Sequence, residues 1–185
     1  QVRQRAHPAP ADDRARRDGD VRRLALAAAV VAALVGCGGD DDQSDAPPPV
    51  VDQIAPALAA VDAQYGAPQD FFEASADLEG VGVIVAVDDA TAAERFRFEN
   101  GELSEPEVLG EASGATFRAE DVAFDTETIF DALRDELDEP VIVDFAVQGS
   151  EGGPVYDATV ASDSGGVLLV LLGADGRVLA VQAVG

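Results

Sequence analysis

The sequence predicts an α+β fold in which two helix-plus-antiparallel-sheet units follow a leader and a disordered linker. Three observations predict it. Two stretches carry apolar residues at helical spacing, and each is followed by segments whose apolar residues alternate. Asn100-Gly101 and Asp175-Gly176 are tight-turn signals placed before a final strand. The second set of signals also follows the first at a fixed offset of 75 residues.

The first unit is expected over residues 51–104. Ile54, Leu58, Val61 and Tyr65 share one helix face, with Asp52 before it and Gly66 as a stop; Pro56 is tolerated in the first turn. Alternating segments near 71–77 and 81–88 read as strands. In the next one Phe96 and Phe98 point to one face, and Arg95 and Arg97 to the other. Residues 105–116, rich in Glu, Pro, Gly and Ser, read as a connector. The second unit is expected over 117–185. Its helix runs from about Thr126 to Asp138 with Ile129, Leu133 and Leu137 on one face, and Pro140 lies beyond its end. Four strands should follow, VIVDFAV, VYDATVA, VLLVLL and RVLAVQAV. Val167 to Leu172 is apolar on both faces, so that strand should be buried on both sides or lie at an interface.

At the offset of 75, Ile54, Ala57 and Leu58 fall on Ile129, Ala132 and Leu133. Val85, Ala86 and Asp88 fall on Val160, Ala161 and Asp163, and Gly101 falls on Gly176. The order helix, hairpin strands, turn, final strand argues for an internal repeat more than these identities do.

Charge is divided unevenly along the chain. Residues 1–36 hold seven Arg and four Asp, a net of +3; residues 37–185 hold five Arg and 32 acids, a net of −27. So acidic a segment is repelled by phosphate backbones, and no nucleic-acid partner is expected. There is no Lys, Met or Trp. That composition favours GC-rich codons and a high-GC genome such as an actinobacterium; a salt-adapted organism is the alternative. Val21 fits a GTG start, which would make residues 1–20 a mis-called or disordered extension.

Residues 21–36 read as a signal peptide. Arg22 and Arg23 precede a 12-residue apolar run, 24–35, too short to span a bilayer of ~30 Å as a helix. Leu34-Val35-Gly36-Cys37 resembles the bacterial lipobox, which implies cleavage before Cys37 and lipid attachment to its thiol. The chain is then expected to sit on the extracytoplasmic face of the cell membrane, anchored through Cys37. Residues 37–50 hold Gly, acids and three prolines, the composition of a solvated tether.

The segment GGPVYDATVASDSGGVLLVLLGADGRVLAV, residues 152–181, resembles the PepSY domain. Tyr156, Asp175, Gly176, Val178 and Leu179 occupy places comparable to its "Y-x-V" strand and "D-x-x-G-x-V-L" ending. The first half matches more loosely, with Val81 where the second has Tyr156. The resemblance implies an envelope domain that binds another protein, a peptidase among the expected partners, and it implies no catalytic residues.

His7 is the only His and lies in the part removed on export. The mature chain thus lacks His, Lys and a free thiol, which excludes Ser-His-Asp and Cys-His nucleophiles, Schiff-base lysine, His or Cys zinc sites and the P-loop. No catalytic residue, metal site or cofactor is expected. Carboxylates remain: Asp88-Asp89 at a hairpin end, and Asp135, Glu136, Asp138 and Glu139 on a polar helix face. They support the alternatives of a carboxylate-based enzyme acting on glycans or a structural, cation-binding envelope component. Arg95 and Arg97, two of five mature arginines on one strand face, read as cross-strand ion pairs or as a contact site for an acidic ligand.

Overall fold

The computed structural model describes residues 49–137, 140–161 and 166–184. They form a mixed α+β architecture: one antiparallel sheet with two helices. In chain order come α1 (Ile54–Tyr65), β1 (Phe71–Ala76), β2 (Val81–Val87), β3 (Ala92–Glu99), β4 (Glu102–Leu103) and β5 (Glu107–Glu111). Then follow α2 (Thr126–Glu136), β6 (Val141–Gln148), β7 (Val155–Ala161), β8 (Val167–Leu172) and β9 (Val178–Val184). The strand order is β4-β3-β2-β1-β6-β7-β8-β9, with β5 also paired to β3. Each helix thus precedes a meander, and the meanders join through their first strands, β1 and β6.

The helix ends follow from local chemistry. A 3-10 turn, Val51–Gln53, leads into α1, and Gly66 closes it in the left-handed conformation at φ 73°. Only glycine reaches that backbone without a Cβ penalty. Asp52, which precedes the helical stripe, lies in the 3-10 turn and accepts a hydrogen bond from Thr126 Oγ1 at 2.9 Å. Gln53 takes the cap position and makes no side-chain cap bond. The cap of α2 is Asp125, whose carboxylate accepts from Thr128 N at 2.7 Å. Asp138 and Glu139 lie outside the described residues.

A single core lies between the helices and one sheet face. Ile54, Leu58 and Val61 of α1 and Ile129, Phe130 and Leu133 of α2 close over Phe71, Val83, Phe96, Phe145, Tyr156, Val160 and Leu172. Each fully buried side chain of this size contributes about 1.5–3 kcal/mol. Tyr156 stacks against Phe145, and its hydroxyl lies 3.2 Å from both the N and the O of Ala123.

Residues 105–116, read as a connector, carry β5 along the edge of β3. Glu, Pro and Gly are poor strand formers, and the open backbone edge of β3 overrides that preference. The Asn100-Gly101 turn forms with φ of 53° and 82°, as the primed hairpin turn requires. The β2–β3 turn is less ordinary, with Asp88, Asp89 and Ala90 all at positive φ. Of β8, Val170 and Leu172 are buried, and Val167, Leu169 and Leu171, opposite in parity, are half-buried.

Two bulges decide which side chains leave the core. Phe71 and Ala74 both face inward although three residues apart, because β1 takes an extra residue between Phe71 and Glu73. The same occurs in β6 between Ile142 and Asp144, so Ile142 and Phe145 both point inward. As a result Glu73 and Asp144 stand on the face opposite the helices.

Candidate functional site

That opposite face is covered by no helix among the described residues, and it carries an uneven charge pattern. Across the register, Glu73 stands between Ile84 of β2 and Gln148 of β6. Asp144 pairs with Thr159, and Asp157 lies between Ala146 of β6 and Leu171 of β8. The positions among them hold small side chains, Gly82, Ser75 and Ala146 in successive pairs. Three carboxylates from three adjacent strands therefore border a shallow floor.

Their electrostatics follow from that placement. Asp157 is only 8% exposed and is the one charged or polar residue in the buried class among those described. Its burial, with the negative charges of Asp144 and Glu73, pushes its carboxyl up to about 7. Burial, then Glu73 and Asp77, raise Asp144 to about 6 against the pull of Arg97. Glu73 is also raised by burial, partly offset by a hydrogen bond from Ser75 and by Arg95. No ion pair reaches Asp144, Asp157 or Glu73 among the described residues.

Arg95 and Arg97 stand on this same face, at its β3 side, opposite Ile84 and Gly82. Arg97 is fully engaged: it donates from Nη1 and Nη2 to the two oxygens of Asp77, both at 2.7 Å, and from Nε to Glu99 at 2.7 Å. Burial alone would raise Asp77. The Arg97 fork and the backbone N–H groups of Glu79 and Gly80 outweigh it and hold the carboxyl below its ordinary value. Arg95 makes a looser pair with Glu107 at 3.6 Å. The structure thus brings the two arginines onto the carboxylate face but ties Arg97 to its own neighbours.

The remaining candidates from the sequence fall elsewhere. Asp88 and Asp89 occupy the β2–β3 turn, away from Glu73, Asp144 and Asp157. Asp135 and Glu136 lie on the exposed side of α2. Leu34, Val35, Gly36 and Cys37 lie outside the described residues. No helix among the described residues is long and apolar enough to cross a membrane, and no group of three or more His, Cys, Asp or Glu there is arranged to hold a metal ion.

Sequence motifs miss Glu73, Asp144 and Asp157. One signal does mark them: each is an acid inside a segment that otherwise reads as strand, FFEASA, VIVDFAV and VYDATVA. An acid at such a position is either turned outward or kept at a cost, and both hold here.

The chain matches no family model and no curated protein. Among solved structures it is similar to a provisionally named lipoprotein of Clostridium difficile 630. The TM-score is 0.48 and the identity 14%, over 76% of this chain and 97% of that one.

Proposed function

We propose that this chain is a lipid-anchored extracytoplasmic binding module, tethered through Cys37, whose carboxylate-bearing sheet face engages a basic envelope protein. One observation carries the binding reading. Glu73, Asp144 and Asp157 share one face, largely desolvated, and among the described residues none of them forms an ion pair. Close carboxylates of this kind lower stability unless a positive group arrives from outside. A lysine or arginine side chain on a partner supplies it, and the strong negative charge of the chain draws such a partner in.

The fold reading that goes with it is a tandem of PepSY-like units. Positions 75 apart lie on corresponding elements: Leu58 and Leu133 on α1 and α2, Val85 and Val160 on β2 and β7. Gly101 and Gly176 lie in the β3–β4 and β8–β9 turns. A peptidase is the partner class this resemblance suggests. Anchoring rests on Leu34-Val35-Gly36-Cys37 and the apolar run before it.

Two experiments test the two parts. Labelled lipid should enter the wild-type chain in a bacterial host and fail to enter Cys37→Ser; incorporation that survives the substitution removes the anchor. Envelope extract passed over the immobilised chain at low salt should yield a basic protein, and Asp144→Asn with Asp157→Asn should abolish its capture. Capture unchanged by both substitutions sinks the carboxylate face as the binding surface.

The raised carboxyls of Asp144 and Asp157 favour one second reading, acid–base chemistry on a glycan. Glycan hydrolysis that disappears with Asp157→Asn, in a chain that captures no protein, would select it.

A further inference from the structure

The two edges of the sheet are built differently. The edge formed by β4 and β5 is broken into two short pieces, carries Glu102, Glu107 and Glu111, and has Pro106 between them. These are the usual devices that stop another strand from adding to a sheet. The opposite edge, β9, carries neither charges nor a proline. Val178–Val184 reads VLAVQAV, and its one irregularity is a bulge against β8 at Leu179. No strand pairs with its outer side among the described residues. Leu179, Val181 and Val184, at 49%, 46% and 50% exposure, are half of the large hydrophobic side chains exposed among those described.

The order of residues along β9 also bears on what can pair with it. Laid antiparallel on itself about Val181, the strand places Val181 against its own copy and Ala180 against Gln182, and the bulge at Leu179 shifts the register beyond that. Every residue of the strip is neutral, so no charged pair faces another across the axis. In a chain of net charge −24, this is a strip on which two copies can meet without opposing carboxylates. A strongly basic partner gains nothing there and is better served by the acidic face of β1, β6 and β7.

We propose that β9 is a self-association edge, pairing antiparallel with β9 of a second copy about a two-fold axis through Val181, so that two sheets become one. The contact is isologous, so it closes on itself and gives a dimer rather than a filament. Main-chain hydrogen bonds supply the attraction, and the neutral side chains supply the choice of partner. Because both copies are strongly negative outside the contact, salt strengthens it by screening their repulsion. Binding of a basic protein at the carboxylate face would respond in the opposite sense.

The test uses the full chain with Cys37→Ser, which removes the lipid site and the only thiol. Sedimentation velocity and light scattering should show a monomer–dimer equilibrium that tightens between low salt and 0.5 M (about a threefold shorter screening length). Val181→Lys, which sets two ammonium groups against each other on the axis, should weaken the dimer at least tenfold without altering the far-UV circular dichroism. If that variant does not fold, Val181→Cys gives an independent reading: oxidation should link two copies much faster than it links Val108→Cys on the blunted β5 edge. A chain that stays monomeric at every concentration and salt level overturns the proposal, whether a segment of its own or a different protein covers β9. So does a dimer that Val181→Lys leaves intact, or cross-linking no faster at 181 than at 108.

Discussion

Asp157→Asn keeps the shape of the side chain and removes its charge, which isolates the cost of holding that carboxylate between β6 and β8. In the folded chain its carboxyl is pushed from the ordinary 3.8 up to about 7. Each tenfold change in proton affinity corresponds to about 1.4 kcal/mol, so the ionised form opposes folding by up to about 4 kcal/mol. The sign follows from the raised value. Below the unfolded value, near 4, both states hold the proton and the group costs nothing; between about 4 and 7 the unfolded chain releases the proton while the folded chain keeps it, so stability falls, and the loss is complete above about 7. Asp144 and Glu73 share the same face, so part of the cost belongs to the three together, and one substitution should recover about 1–3 kcal/mol. Urea denaturation of wild type and Asp157→Asn from pH 4 to pH 8.5 measures this. The two curves should nearly coincide at pH 4 and diverge to a more stable variant above pH 7, with a melting temperature higher by about 3–10 °C. Curves that run parallel across the whole range, or a variant less stable at pH 8, would refute the argument that Asp157 is held against its preference.

Three other expectations rest on single contacts. A Cβ at Gly149 would stand 2.2 Å from the carbonyl oxygen of Ala115, a backbone atom that cannot step aside, so Gly149→Ala should cost about 2–4 kcal/mol in chemical denaturation. Ala90 sits at φ 62° in the β2–β3 turn, a backbone glycine adopts without strain; Ala90→Gly should raise stability by about 0.5–1 kcal/mol, read from the denaturation midpoint. Tyr156→Phe removes the hydroxyl that meets Ala123 at 3.2 Å while leaving the ring packed on Phe145, and should cost about 1 kcal/mol with no change in the far-UV spectrum.

Arg95 and Arg97 show how a correct face assignment can leave a role undecided. The RFRF alternation places both arginines opposite Phe96 and Phe98, and the register bears this out, with Arg97 across from Gly82 and Arg95 across from Ile84. Nothing in that alternation reveals Asp77, which closes the β1–β2 turn and locks Arg97 in a bidentate pair. The partner is 20 residues away in sequence and is set by how the turn folds back over β3.

The sequence alone determined the α+β class, both helices, and most strand positions, because helical stripes, alternation and turn residues are local signals that a short window contains. It also carries the whole case for Cys37 as an anchor. Tertiary structure decided three things that no window holds. A strand formed at Glu107–Glu111 because β3 offered an unpaired edge. Bulges in β1 and β6 broke the period of two, so that Phe71 and Ala74, and likewise Ile142 and Phe145, share the core while Glu73 and Asp144 turn away from it. The pairing of β1 with β6 then brought acids from distant parts of the chain onto one face, where burial and mutual repulsion shift their proton affinities. Proximity of this kind depends on strand register, and register is a property of the assembled sheet.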